Sequence, residues 1–594
     1  MLTRARSRPP RGVVLLTALH LTLLATYSFT YPTWTGYDEA QHVDMVYGLL
    51  HGGGWPAPGD RIMAKGVAAT SDDFDRGRYA GMFQSGRRSP SDPPFAAIRP
   101  TPRGRRLSFD ALGGPEPVTD GRLPNQIVQH PPMIYVVGAG MLAALPGSSR
   151  WAYDRQVWAL RLLNISLVAP LPLLAWAAAR RFGLCQPLAQ AAAAVPLAVP
   201  GLTRVGATFN NDGLLMFSVG GLTVLIAGVL AGDMRRRTAV GIALSLTVAL
   251  LTKALALPLV LMVAIAYPLG WAAPRGPRGR RCALTTGSGR AAVVRTPPWR
   301  PALLAIGPAC AAGGWWWVRN YILYHSIEPN GWATDPPRRE PILLPKSFGT
   351  WYGYFWRTII SRFWGGLGMF EPPALSRVAT LAATLAVTGC VIAAVTHRRD
   401  AGVIRPGRRP TRLGVHVRPP VLLMPVFLAY LLVGQRSYAD YLESTRAIAI
   451  QGRYLYLGIV GIAVVTAGGL GRLLRGRERL AGLAVLAGAL AMQSAALWAV
   501  CSYYWLPPGA SIPIRHIVGI VAAIGRWAPV PEGVTIATFT LCVLFGCLTL
   551  AEAVREVREV RGDRAGGRRG RAPRDQKVAL RTLWPPRHAS GRRA

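Results

Sequence analysis

Apolar runs recur along almost the whole chain, and short stretches rich in arginine, glycine and proline separate them. A helix rises 1.5 Å per residue, so about 20 apolar residues cover a hydrocarbon core about 30 Å thick. The runs at 13–29, 157–179, 187–205, 213–231, 301–318, 374–396, 455–470, 480–500 and 534–551 approach or meet that length. The stretch 239–272 is too long for one straight span, and Thr252-Lys253 divides it into a short pair with Lys253 at the turn. The run 420–433 is short for a span, and 133–145 is equally marginal. If 133–145 does not cross, the basic stretches Arg180-Arg181, Arg235-Arg236-Arg237, 275–281, 397–412, 472–479 and 555–594 all fall on one side. Lysine and arginine in short loops favour the cytoplasmic side. If 133–145 did cross, nearly all of them would lie outside. The pattern therefore predicts an all-α polytopic membrane protein of the plasma (inner) membrane. It has about twelve transmembrane helices, both termini cytoplasmic, and a re-entrant or juxtamembrane helix at 133–145.

This topology divides the chain into a basic cytoplasmic N-terminus (1–12), a transmembrane domain (13–551) and a basic, low-complexity tail (552–594) expected to be disordered and cytoplasmic. Residues 30–132 form a large first extracytoplasmic loop, with short surface helices expected near 39–50. Within it, 55–122 is an Arg/Pro-rich insert. Residues 319–373 form a second outer loop. No small-x-small cleavage site follows the first apolar run, and Tyr31-Pro32-Thr33-Trp34 is a bulky boundary, so the run is read as a retained helix rather than a signal peptide.

The formal net charge is +40, from 68 Lys and Arg against 28 Asp and Glu. A soluble nucleic-acid binder could carry such a charge, but not together with repeated membrane-length apolar runs, so nucleic acid is excluded as a partner. The seven cysteines show neither a pairing framework nor a metal-binding spacing. The bias to Ala, Arg, Gly and Pro points to a bacterial source.

The unusual polar residues collect on the outer side. Gly36-Tyr37-Asp38-Glu39-Ala40-Gln41-His42 directly follows the first span. If the stretch after Gly36 is helical, Asp38 and His42 share a face, and so do Glu39 and His42. Such a cluster can take a proton, hold a divalent cation or bind a cationic group, or Asp38 can simply cap a helix. His130, Asn210-Asn211-Asp212, Lys253, Arg319-Asn320 and Gln451-Gly452-Arg453-Tyr454 fall at the other outer boundaries. Charges near the bilayer cost about 2.5–3.5 kcal/mol each at mid-depth and need partners or a function. Asp38, Glu39 and Asp212 suit acid–base or metal chemistry. Lys253, Arg319 and Arg453 suit an anionic group such as a lipid phosphate. Each also has a plainer role: Lys253 can snorkel, Arg453 can pair with Asp440 or Glu443, 210–212 can cap the next helix, and Trp315-Trp316-Trp317 can form an interfacial belt.

Taken in order, these motifs resemble the GT-C superfamily of membrane glycosyltransferases, which includes the protein mannosyltransferases and the lipid A aminoarabinose transferase. The resemblance is closest to a bacterial polytopic membrane-protein family of that superfamily. It rests on Asp38-Glu39-x-x-His42, Gln129-His130-Pro131-Pro132, Asn211-Asp212, Thr252-Lys253, Trp316-Trp317-Val318-Arg319-Asn320 and Gln451-Gly452-Arg453-Tyr454, and covers about residues 10–500. It implies a GT-C-like helical bundle that transfers a hexosyl or pentosyl group from a polyprenyl-phosphate donor to a cell-envelope glycan, lipid or protein on the outer face. Asp38 and Glu39 would be catalytic, with Asp38 the general base. Lys253, Arg319 and Arg453 would bind the donor phosphate. His42, His130, Asn211, Asp212, Gln451 and Tyr454 would complete the site, and Glu39 with His42 would be the ligands of a divalent metal where one is used. The 55–122 insert and the lack of a large soluble C-terminal domain depart from the better-known members and leave the acceptor open. The rival readings are a transporter or flippase for an envelope lipid or polysaccharide and a non-catalytic scaffold. Transporters often show internal repeats and polar residues at the midplane. Here no repeat is visible and the polar residues sit at one face.

Overall fold

In a computed structural model of the chain, the described residues are 8–70, 101–119, 124–272, 297–331, 345–368, 374–396, 418–447, 449–475, 477–506 and 515–569. They are helical throughout, with no strand among them and two isolated bridges, Ile62–Pro124 and Ala64–Pro117, in the first loop. The helices are α1 (Arg11–Thr30), α2 (Glu39–Leu50), α3 (Lys65–Ala69), α4 (Met133–Ala144), α5 (Tyr153–Val168), α6 (Leu171–Phe182), α7 (Gln186–Ala194), α8 (Pro200–Ala207), α9 (Asp212–Leu230) and α10 (Arg236–Leu250). They continue with α11 (Leu259–Trp271), α12 (Trp299–Tyr324), α13 (Phe348–Gly365), α14 (Arg377–Thr396), α15 (Arg418–Ser444), α16 (Ile459–Leu473), α17 (Glu478–Trp505), α18 (Arg515–Trp527) and α19 (Glu532–Arg569).

Nine stretches among the described residues are long and apolar enough to cross a membrane: Arg11–Thr30, Tyr153–Phe182, Asp212–Leu230, Ala254–Trp271, Arg377–Thr396, Arg418–Ser444, Gly452–Leu473, Glu478–Trp505 and Glu532–Glu559. The expected dozen is not reached, for three physical reasons. The run at 187–205 is bent by 68° between Gln186–Ala198 and Pro200–Ala207. Pro200 pushes Val199 out of the helical region, to φ −115° and ψ 89°, which breaks the segment. Helix α10 has only 15 residues, about 22 Å at the helical rise. Helix α12 is long, at 26 residues, but three tryptophans, Arg319 and Asn320 dilute its apolar character. It packs along α10, and Trp317 Nε1 donates to Leu250 O at 3.0 Å.

Other expectations hold. The 239–272 stretch does break at Lys253. The 420–433 run is part of a 27-residue helix, so its shortness is resolved. Helix α4 has 12 residues, about 18 Å, too short to span. The tail differs from expectation: α19 continues through Arg569, and only 570–594 lie outside the described residues. Part of the 55–122 insert is also folded, with Met63, Ala64 and Phe109 buried; residues 71–100 and 120–123 lie outside the described set.

The two ends of the bundle differ. At one end Gln190 Nε2 donates to Glu556 Oε1 at 2.7 Å, and Arg479 Nη1 to Glu556 O at 2.9 Å. The other end joins the C-terminal end of α1 to the N-terminal ends of α9 and Gly452–Leu473 and to the α10–α11 turn, through buried ion pairs. The first loop folds over that end.

Candidate functional site

Tyr31 to Asp38 link α1 to α2, and two buried arginines hold this link. Arg161, in the middle of α5, donates to Ser28 O at 2.7 Å, Tyr31 O at 2.8 Å and Pro32 O at 3.0 Å. Arg204, in α8, donates to Thr35 O at 2.6 Å and to Gly366 O at 2.9 Å, and its guanidinium lies 4.1 Å from the Tyr37 ring centroid. Gly36 lets the link press on α8: a Cβ there would lie 2.8 Å from Thr208 Cβ. Under these constraints Asp38 takes a left-handed conformation, φ 52° and ψ 24°, which costs of order 1 kcal/mol outside glycine. Asp38 precedes α2 but its side chain does not cap the helix. The carboxylate turns instead toward Arg453.

The centre is a chain of alternating charges. Arg453 Nη2 donates to Asp38 Oδ2 at 2.9 Å, Arg453 Nε lies 3.7 Å from Asp212 Oδ2, and Lys253 Nζ donates to Asp212 Oδ1 at 2.7 Å. The Lys253 ammonium also stands 3.5 Å from Asn211 Oδ1 and 4.7 Å from the Tyr454 ring centroid. Arg453 stacks on Tyr37 at 4.4 Å. Each charge is thereby partnered, as buried charges must be. Hydrogen bonding is nevertheless incomplete, since Asn211 Nδ2, Asp212 Oδ2, Arg453 Nε and His130 Nδ1 are buried without a partner. Four such atoms at one centre leave room for a polar ligand. Asp38 is the most open member, with its side chain 27% exposed.

Burial opposes ionisation of Asp38, yet Arg453 and Lys253 outweigh it and hold the carboxyl below its usual range, so it is ionised at neutral pH. His42 Nδ1 lies 2.9 Å from Tyr135 Oη, and the two rings stack at 5.8 Å. Burial pushes the His42 imidazole down to about 3, so it is neutral. His130 is neutral for the same reason, with Lys253 adding to the shift. His130 Nδ1 faces Glu328 Oε1 at 3.7 Å, and Arg436 Nη1 lies 3.6 Å from Glu328 Oε2.

The expected residues Asp38, His42, His130, Asn211, Asp212, Lys253, Arg453 and Tyr454 thus come together. Gln451 is buried beside them, its carbonyl accepting from Tyr454 N at 3.2 Å. Arg453 pairs with Asp38 and Asp212 rather than with Asp440 or Glu443. Two expected residues stand apart from that cluster. Arg161 grips both oxygens of Glu39, at 2.7 and 2.6 Å, and Phe209 N and Trp34 N supply two more bonds at 3.0 and 3.1 Å. Its carboxylate is spent on holding the link in shape. Arg319 lies outside the charged centre, bonded to Asn320 Oδ1 at 3.0 Å and placed over Trp316 and Tyr324. The expected metal pair, Glu39 and His42, has its carboxylate already engaged. Its four acceptor bonds leave no lone pair directed at a cation, and no three His, Cys, Asp or Glu side chains converge as a ligand set among the described residues. Sequence reasoning missed Arg161, Arg204, Tyr37, Tyr135, Glu328 and Arg436. For Arg161 and Arg204 a signal existed, because a charge inside an apolar run demands buried partners.

Fold and site together define a polytopic helical membrane protein with an ion-paired polar centre at one end of its bundle. No family model and no curated protein sequence matches the chain. Among solved structures it is similar to the Archaeoglobus fulgidus oligosaccharyltransferase in the apo form, at 12% identity and TM-score 0.32, over 86% of this chain and 57% of that one. The same enzyme tethered to an acceptor peptide with the NVT sequon gives 12% identity and TM-score 0.24, over 66% and 49%. The chain thus spans about half the length of those structures, and at such TM-scores the likeness carries no weight for the chemistry.

Proposed function

We propose that the chain is a membrane glycosyltransferase of the GT-C kind, moving a sugar from a polyprenyl-phosphate donor to a cell-envelope acceptor on the outer face. The observation that carries this reading is a buried polar centre in a helical bundle that also holds an apolar groove. A cavity of about 660 Å³ opens between α11, α13, α14, α15 and α16, lined by Ile265, Met424, Phe427, Tyr430, Leu455 and Ile462 among others. Leu455, two residues from Arg453 along the chain, links the groove lining to the segment that carries the charged centre. A polyprenyl-phosphate sugar has the complementary form, with an apolar chain for the groove and an anion for Lys253 and Arg453.

Arg453 Nε, ion-paired with Asp212 but not hydrogen-bonded, and Asn211 Nδ2, which makes no hydrogen bond, are donors and suit phosphate oxygens. When the bond from the anomeric carbon to the phosphate oxygen breaks, the electron pair leaves with the lipid phosphate, and Lys253 and Arg453 meet the growing charge. Asp38, ionised at neutral pH, opposes the positive charge developing on the sugar ring. The basic short loops support a cytoplasmic position for the other end of the bundle, and with it an outer-face site. The test is transfer from a panel of radiolabelled polyprenyl-phosphate sugars, in membranes with wild-type protein or Asp38→Asn at matched abundance. Transfer that is lost in the variant supports the reading and names the donor. Equal transfer removes Asp38 from the chemistry. Lipid translocation that survives Asp38→Ala, without transfer, favours the transporter.

A further inference from the structure

The acceptor must lose a proton, and the centre described so far is poorly equipped to take it. Asp38 is ion-paired at 2.9 Å with Arg453, which lowers its basicity. Glu39 is fully engaged by Arg161. Asp212 is shared by two cations. The remaining carboxylate at the site is Glu328, which the motifs did not flag.

Its placement is built by the fold. Helix α12 ends at Tyr324, and His325 reverses the chain with φ 51°. Asn320 Nδ2 then donates to Ile327 O at 3.2 Å, which gives the asparagine of the Arg319-Asn320 pair a role. Four residues on, Gly331 O accepts from Gly59 N at 3.2 Å. Gly331 also lies so close to Gln126 that a Cβ would stand 2.0 Å from its carbonyl oxygen. These contacts clamp the segment against the first loop and bring Glu328 Oε1 to 3.7 Å from His130 Nδ1, a buried atom that makes no hydrogen bond. Burial raises the Glu328 carboxyl above its usual range, against the opposing pull of Arg436 and Lys253. Asp38 and Glu328 both feel the charge of Lys253 yet are perturbed in opposite directions, which separates a permanent anion from a group able to exchange a proton.

Resting on the glycosyltransferase reading, we infer that Glu328, oriented by His130, is the general base for a hydroxyl acceptor. The hydroxyl oxygen bonds to the anomeric carbon as the carbon–phosphate-oxygen bond breaks. The hydroxyl proton passes to Glu328, and the lipid phosphate leaves with the bonding pair. Asp38 keeps its charge throughout, and Glu328 returns the proton to solvent through its exposed side, 26% open.

The experiment uses the full-length protein in membranes with the donor identified by the panel, and compares wild type, Glu328→Gln, Glu328→Asp, His130→Asn and Arg436→Gln at matched abundance over a pH series. Glu328→Gln is expected to lower kcat by about 10²–10⁴-fold with donor KM little changed. Glu328→Asp should recover part of the rate. The acid limb of the pH profile should vanish in Glu328→Gln, and should move upward in Arg436→Gln, where the carboxyl loses a neighbouring cation. His130→Asn should lower kcat and displace the same limb. A purely structural Glu328 would instead lower abundance in Glu328→Gln and Arg436→Gln alike and leave the limb in place. Wild-type kcat and an unchanged acid limb in Glu328→Gln overturn the base while leaving glycosyl transfer standing. Absence of transfer by wild type from every donor overturns the glycosyltransferase reading and the base with it.

Discussion

Glu39 sits in the Asp38-Glu39 pair that follows the first span, yet its carboxylate is fully engaged, and Glu39→Gln separates a structural from a catalytic role. The carboxylate is fully buried and Arg161 is 4% exposed. Glu39 accepts from Arg161 Nε at 2.7 Å and Nη2 at 2.6 Å, and from the backbone N–H groups of Phe209 and Trp34. An amide is nearly isosteric, but its NH₂ would face either Arg161 and Trp34 or Arg161 and Phe209, all donors. One set of bonds is lost, and the guanidinium is left without its counter-ion. Breaking a buried pair this way costs about 3–5 kcal/mol. Arg161 would still hold Ser28, Tyr31 and Pro32, so Arg161→Gln should cost at least as much. The double variant should cost clearly less than the sum, because each single variant already destroys the shared interaction. The assay is thermal unfolding of the detergent-solubilised protein, read beside sugar transfer at a temperature where every variant remains folded. The expected result is a large fall in melting temperature and transfer reduced only as far as Asp38 is displaced. A Glu39→Gln protein with wild-type melting temperature and no transfer would refute the reasoning and return Glu39 to the chemistry.

Four further outcomes follow from the same geometry. Asp38→Asn should preserve abundance, since asparagine tolerates the left-handed backbone, whereas Asp38→Val should lower abundance by strain at φ 52°; a western blot beside the transfer assay distinguishes them. Gly452→Ala would place a Cβ 2.1 Å from Phe363 N in α13, displacing Arg453, so transfer should fall at least tenfold even where protein accumulates. Because His42 is held near 3 in the fold and titrates near 6.5 when unfolded, the unfolded state binds the extra proton between those values. Stability should therefore fall as pH drops from 7 toward 5, by up to about 2 kcal/mol for this group at pH 5, and His42→Gln should flatten the melting-temperature profile. Finally, cysteine placed at Gly54 should react with an impermeant thiol reagent from outside the cell, and cysteine at Arg236 only after permeabilisation; the opposite pattern would overturn the outer-face reading.

The sequence by itself determined the helical class, most of the spans and the list of residues that meet at the centre. Spans are legible because a bilayer demands continuous apolar runs, and that demand is local. The break at Lys253 was legible for the same reason, since 239–272 exceeds one crossing. The grouping of Asp38, Asp212, Lys253 and Arg453 followed from parity: all four fall at the same ends of their helices. What parity could not give was the pairing. Arg453 chooses Asp38, 415 residues away, over Asp440 and Glu443, which lie within a few turns of it in sequence. Tertiary structure decided that Glu39 turns inward to Arg161 while its neighbour Asp38 turns to the site. The helical spacing that puts Asp38 and His42 on one face said nothing about which carboxylate a buried arginine would claim. It also decided the kink at Val199 and the shortfall in α10 and α12, where proline geometry and tryptophan-rich packing override a run's average apolarity. Glu328 was invisible for a related reason. It stands in a loop without a motif, and only the reversal at His325 and the clamp of Asn320 on Ile327 carry it to His130.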